Sequence, residues 1–277
     1  MNTYTTEQIQ TILTDHTAWL RGDVGGTRAN LKDANLSEAN LSEADLTDAN
    51  LVGADLRGAY IVGACLRGAN LVGACLVGAC LVGADLARAS LRGAYLVGAD
   101  LARTNLSDAD LRRASLSDAD LRRASLMGAN LSDADLRRAN LTDANLSDAD
   151  LSRANLAGAD LAGADLRRAN LAGADLRRAV LPDSIPVVPN IDAEILAAVA
   201  TANAALDMLS WHLCETTHCR AGWAVHLAGD AGKALESKIG PSAAGALIYA
   251  ASGSHPVPDW HTSNAEAMAD MRARVGL

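Results

Sequence analysis

The chain contains no phenylalanine, and aromatic residues make up only 3% of its 277 positions. With Ala and Leu dominant among the 49% of residues that are apolar, a sizeable core is possible and a core made of one repeated small shape is the expectation. Basic residues are outnumbered, 24 Lys and Arg against 33 Asp and Glu, so a phosphate-neutralising nucleic-acid surface is not expected as the main function. The five cysteines (Cys65, Cys75, Cys80, Cys214 and Cys219) are an odd number. A complete disulfide framework is excluded and a reducing, cytoplasmic setting is the plainer expectation. MNTYTTEQIQ lacks the basic and apolar regions of a signal peptide, and no apolar run reaches the ~18 residues of a membrane span.

What the chain has instead is a period. Ala recurs at every fifth residue from Ala29 to Ala179, interrupted only by Thr104, and Leu follows two residues after each, replaced only by Ile61. A period of five fits neither a helix nor a flat strand, so these side chains cannot share one face of either. They can share the inside of a coil that turns a corner every five residues.

Charge sets the size of that coil. Residues one coil apart lie about 4.8 Å apart, where opposite charges attract and like charges repel. At a separation of twenty, Arg88/Asp108, Arg113/Asp133, Asp133/Arg153, Asp118/Arg138, Arg123/Asp143 and Asp148/Arg168 are opposite in sign, and Arg103/Arg123 is the exception. Separations of fifteen and twenty-five bring mostly like charges together. Four pentapeptides per coil follow.

The pentapeptides ANLSE, ADLRR and ANLVG resemble the consensus A(D/N)LXX of the pentapeptide repeat family, over 31 units. The resemblance implies an all-β fold: a right-handed quadrilateral β-helix of about 8 coils and on the order of 37 Å in length, with Leu and Ala inward and the other positions outward. Some members of that family mimic DNA and inhibit DNA gyrase. This chain fits that role poorly, because its repeats balance 18 basic against 20 acidic residues. Only the acid-rich opening, Asp33, Glu38, Glu43, Asp45, Asp48 and Asp55, would suit it.

Open coil ends invite aggregation, so caps are expected. Residues 1–27 carry a capping box, Thr5 with Gln8, and apolar positions at helical spacing that include His16 and Trp19, which are read as packing residues. This is the expected N-terminal capping helix, with RGDVGGT as a flexible joint to the β-helix of residues 28–181. After Leu181 the phase is lost, and Pro182, Pro186 and Pro189 stop strand pairing. Residues 182–277 read as a small α-helical domain able to dock on the last coil or to form a homodimer. Its helices are expected from Asp192 as N-cap to about Leu209, from Thr216 or Thr217 to Leu227, over 231–239, from Pro241 to Ala251, and after a Ser263/Glu266 capping box.

Enzymatic signatures are missing: there is no G-x-x-x-x-G-K-[ST], G-x-S-x-G or H-E-x-x-H. The densest chemistry is WHLCETTHCRAGW, where His212, Cys214, His218 and Cys219 are candidate metal ligands, although their spacing is not a standard zinc pattern. Cys219 beside His218 could act as a thiol nucleophile, but no orienting partner is recognisable. THCRAGW resembles a C-terminal region that accompanies pentapeptide repeats in bacterial and phage proteins of undefined function, and this supplies no mechanism. No cofactor is expected.

The more informative feature is an outward apolar zone on the early coils: Val52, Val62, Val72, Val77, Val82 and Val97, with Tyr60 and Tyr95. Such a zone marks a contact surface, while β-propensity alone also favours Val there. The expectation is a non-catalytic scaffold that presents this surface to a protein partner or to its own copy.

Overall fold

A computed structural model of the chain describes residues 2–182, 185–201, 220–253, 256–258 and 264–277. Its centre is a β-helix in which each bridge is parallel and joins residues twenty apart, from Asn30↔Asn50 without a gap to Asp160↔Val180. One coil is thus four pentapeptides. The bridges are single-residue, and among the described residues the only strands of two residues are β1 (Asn2–Thr3) and β2 (Ala34–Asn35). The sequence explains why no longer strand forms: a turn interrupts every Ala-(Asp/Asn)-Leu triplet.

Each turn is closed by the Ala N–H donating to the carbonyl of the Leu three residues earlier, as in Ala34 to Leu31 at 3.1 Å and Ala124 to Leu121 at 3.0 Å. The residue second after Leu has positive φ, for example 65° at Gly78 and 57° at Arg138, which marks a type II turn. The Asp or Asn before Leu also has a local task. Its Oδ1 accepts the N–H two residues on, as Asn35 does from Ser37 at 3.1 Å and Asp100 from Ala102 at 3.1 Å, so short polar side chains that favour turns recur there.

The Leu residues from Leu31 to Leu176 and nearly all the Ala residues of the repeat are buried. Each buried Leu contributes roughly 1.5–3 kcal/mol, and neighbouring coils satisfy one another's backbone groups, as Leu31 N–H donates to Asn50 O at 2.7 Å and Asn50 N–H to Ala29 O at 3.0 Å. Thr104, the interruption, is fully buried, and its hydroxyl donates to Leu81 O at 2.8 Å. The hydroxyl is paid for by that bond.

Both ends are covered. At the start, β1 pairs in parallel with β2, Asn2 opposite Ala34 and Thr3 opposite Asn35, adding a rung below the first coil. Helix α1 (Thr6–Arg21) begins with the reciprocal Thr5/Gln8 box and ends at Gly22 in the left-handed conformation. Ile9 and His16 are its buried residues, while Trp19 remains 36% exposed. The RGDVGGT joint is a structured turn rather than a flexible one. Thr27 N–H donates to Asp15 O at 3.1 Å, and a Cβ on Gly26 would collide with the backbone of Ala18 and Trp19, so the chain doubles back tightly and glycine is required there.

At the other end, α2 (Ile191–Thr201), α3 (Arg220–Leu227), α4 (Gly229–Ile239), α5 (Pro241–Ala251) and α6 (Asn264–Arg274) follow the repeats. Groups from this region take the places of a missing coil. Arg168 N–H donates to Ile239 O at 2.7 Å, Gly173 N–H to Pro258 O at 3.1 Å, and Val257 N–H to Ala174 O at 2.9 Å. Helix α5 is buried from Ala243 to Ala250, and Gly245 lies so close to Ala221 of α3 that a Cβ would clash. Asp192 is not a cap: it is the second residue of α2, and its Oδ1 accepts from the buried Tyr249 hydroxyl at 3.2 Å. The expected extension of α2 to Leu209, the Thr216/Thr217 start and Ser263 lie outside the described residues. Among the described residues no helix is long and apolar enough to cross a membrane.

Candidate interaction surface

The outward positions are set by the repeat: the residue before each Leu and the residue after it flank the face, and the next occupies the corner. On the face carrying Leu76 and Leu96, Cys75 and Tyr95 are bridged neighbours, with Val77 and Val97 following the two Leu residues. The next face in the chain carries Ile61 and Leu81, with Tyr60 bridged to Cys80 and with Val62 and Val82. Gly58, Gly78 and Gly98 form the corner between them and carry no side chain to cover it. Eight apolar or weakly polar side chains therefore occupy the two faces on either side of one bare edge.

Exposure divides the predicted surface residues. Tyr60 (57%), Tyr95 (55%), Val62 and Val77 (38% each) are exposed, whereas Val52, Val72, Val82 and Val97 are half-buried. Val52 and Val72 follow Leu51 and Leu71 on a different face, so the exposed part is narrower than the eight residues suggested. Cys75 and Cys80, half-buried and free, belong to the same zone. They were not picked out from the sequence, although folding the chain by twenty puts them there.

Ion pairs bound this zone. Below it, Asp55 is 2% exposed and accepts three hydrogen bonds from Arg57, one from its backbone N–H and two from its guanidinium; the guanidinium keeps the Asp55 carboxyl below its usual range. Above it lies a groove of about 540 Å³ lined by Val82, Asp100, Ala102, Arg103, Arg122 and Arg123, among others. Further along, carboxylates are paired in two ways. Asp110, Asp120, Asp135 and Asp165 bind the Arg two residues on, and Arg138–Asp118, Arg153–Asp133, Arg168–Asp148 and Arg123–Asp143 join neighbouring coils at 2.7, 2.8, 2.8 and 3.5 Å. Arginine hydrogen bonds hold the carboxyls of Asp110, Asp118, Asp120, Asp133, Asp135 and Asp165 below their ordinary range.

The pentapeptide repeat family, described as "Pentapeptide repeats", matches in eight copies over residues 27–61, 49–86, 64–103, 104–143 and 144–181. The chain belongs to this family. Pentapeptide repeat proteins are right-handed β-helices, and the match takes in more than half of this chain. It stops at residue 181, so the THCRAGW resemblance has no support from it. No curated protein matches the chain.

Among solved structures, the trypsin-treated form of QnrB1, a plasmid-mediated fluoroquinolone resistance protein, is similar at 20% identity, covering 63% of this chain and 89% of its own, with a TM-score of 0.39. The pentapeptide repeat protein Rfr23 from the cyanobacterium Cyanothece 51142 is 39% identical over 36% of this chain and 60% of its own, with a TM-score of 0.20. The corresponding figures for alr5209 from Nostoc Pcc 7120 are 42%, 36% and 74%, with a TM-score of 0.18. Superpositions this loose say nothing about activity.

The other predicted site residues, His212, Cys214, His218 and Cys219, lie outside the described residues. His226 is described, and its ring meets Trp223 edge-on at 5.7 Å.

Proposed function

We propose that this pentapeptide repeat protein is a non-catalytic scaffold, a rigid right-handed coil of square section that presents the Tyr60–Val62–Val77–Tyr95 edge to a protein partner or to a second copy. One observation carries the reading: no charged residue occurs between Arg67 and Asp85, and every corner from Gly53 to Gly83 is glycine. An apolar zone rimmed by charged pairs has the anatomy of a protein interface. The buried Leu interior supports a structural role rather than a substrate-binding one. A reducing, cytoplasmic setting suits the odd cysteine count and the free thiols of Cys65, Cys75 and Cys80.

Cross-linking in the native host and sedimentation of the purified protein test this reading. Val62→Lys combined with Val77→Lys should abolish the cross-linked complex or the self-association, with the fold intact. Identical sedimentation and cross-linking profiles in wild type and variant would reject it.

The DNA-mimicking alternative is less well supported, because it needs free carboxylates and most in the later coils are engaged by Arg. Absence of gyrase inhibition by the purified protein at micromolar concentration would remove it. Metal analysis of the purified protein tests the remaining alternative, metal chemistry at His212, Cys214, His218 and Cys219.

A further inference from the structure

Helix α1 is fastened to the β-helix by a contact unlike any other in the repeat. In later pentapeptides the Ala N–H closes a turn onto a Leu carbonyl three residues back, as at Ala34 and Ala49. Ala29, the first of the series, has Gly26 at that place, and its N–H instead donates to Nδ1 of His16 at 3.1 Å. The imidazole replaces a missing carbonyl. Its ring is fully buried and stacked on Trp19 with centroids 5.4 Å apart; among the described residues its Nε2 makes no hydrogen bond of ordinary geometry, and the Thr47 backbone is the polar group that acts on it.

An Nδ1 that accepts a hydrogen bond must carry a lone pair, so the docked ring is the neutral tautomer with its proton on Nε2. A second proton, placed on Nδ1, would set two N–H groups against each other and bury a charge away from water. The charged groups around the ring act in both directions. Arg28, whose Nε donates to Asp48 O at 2.6 Å, opposes a positive ring, while Asp45, Asp48 and the Thr47 backbone of the first coil favour it; burial outweighs these and holds the imidazole below its ordinary range.

We infer that His16 is an acid-sensitive latch: protonation of its ring releases helix α1 and uncovers the first coil. The undocked ring binds its proton more readily than the docked one. Docking is therefore at full strength above the ordinary imidazole value of 6.5 and weakens as pH falls below it. What release uncovers is the part of the core against which Ile9, Ile12 and Leu13 pack, and the lower edge of Ala34–Asn35, which β1 otherwise pairs. Such an edge is a ready template for strand pairing.

Amide hydrogen exchange on the full chain, corrected for intrinsic rates, tests the latch. Protection at Ala29 and along α1 should fall about tenfold or more between roughly pH 7.5 and 5, while amides of the later coils such as Leu121 and Asn140 keep theirs. His16→Gln, whose side-chain oxygen can accept the Ala29 N–H without titrating, should remove the pH dependence. Equal pH dependence in wild type and variant would overturn the proposal. Should the variant fail to dock at neutral pH, the wild-type imidazole signals decide. Titration of His16 at its ordinary value while Ala29 stays protected, or a proton on Nδ1 at neutral pH, would also overturn it.

Discussion

The coils of residues 51–100 and those of residues 101–181 are the same building with different cladding. Their interiors are alike, Leu on Leu and Ala on Ala, and their corners share one backbone conformation. In the first group every corner but Arg88 is glycine, with φ of 61–67°, whereas in the second most are Asp or Arg, with φ of 56–59°. The left-handed corner is thus imposed by the repeat whatever residue stands there. Because L-residues pay about 1–2 kcal/mol for that conformation, the Asp and Arg corners are present for what they do outside the coil. The comparison teaches that Leu and Ala fill the interior and the Asp or Asn before Leu helps to close the turn, while the two positions after Leu are left to vary the surface.

The largest expected effects test the shared interior. Leu76→Ala, in the apolar zone, and Leu136→Ala, among the charged coils, should each destabilise by about 2–5 kcal/mol in denaturant unfolding, and by similar amounts. A much smaller loss at Leu76 would break the claim that the two groups of coils are built alike. Next in size is the corner. Gly78→Ala places a Cβ at φ 65° with nothing within 4 Å to strike, so the cost is conformational alone, about 1 kcal/mol. No measurable loss would mean that these glycines serve only to keep the edge bare.

Acid separates the charged coils from the apolar zone. In the later coils Asp110, Asp118, Asp120, Asp133, Asp135 and Asp165 have carboxyls held below the ordinary value of 3.8 by hydrogen bonds from Arg. An unfolded chain binds their protons more readily, so the stabilisation is full above that value and is lost as pH falls through the lower folded values. Exchange protection should therefore decline first in the later coils below about pH 4. It should persist around Leu71 to Leu81, where no charged residue stands. Simultaneous loss along the whole rod would show that the solenoid unfolds as one unit, erasing the distinction.

How much of this the sequence disclosed follows the same divide. The period of five and the coil of twenty were legible because each coil repeats the same interaction, and four of the charge pairs used to count it are ion pairs in the structure. The closures were not legible. Ile239 and Pro258 meet the last coil through backbone carbonyls, and His16 meets the first through one ring nitrogen; each contact occurs once and leaves no periodic trace. The apolar zone was visible as residue types, but its division into exposed Val62 and Val77 and half-buried Val52 and Val72 was not, because the residue type is the same in all four cases.

The smallest effect on stability is expected where the effect on binding is largest. Val62 and Val77 are each more than one-third exposed and lie outside the Leu interior, so Val62→Lys with Val77→Lys should shift unfolding by no more than about 0.5 kcal/mol per site. The long Lys stems can lie along the face while the charges reach water. The same two ammonium groups would have to be stripped of water in any complex formed over this edge, with no carboxylate nearer on the chain than Asp55 and Asp85. A variant that unfolds like wild type yet loses its complex separates recognition from folding. One that loses several kcal/mol would instead place these valines within the core and make the charge-free stretch a feature of packing.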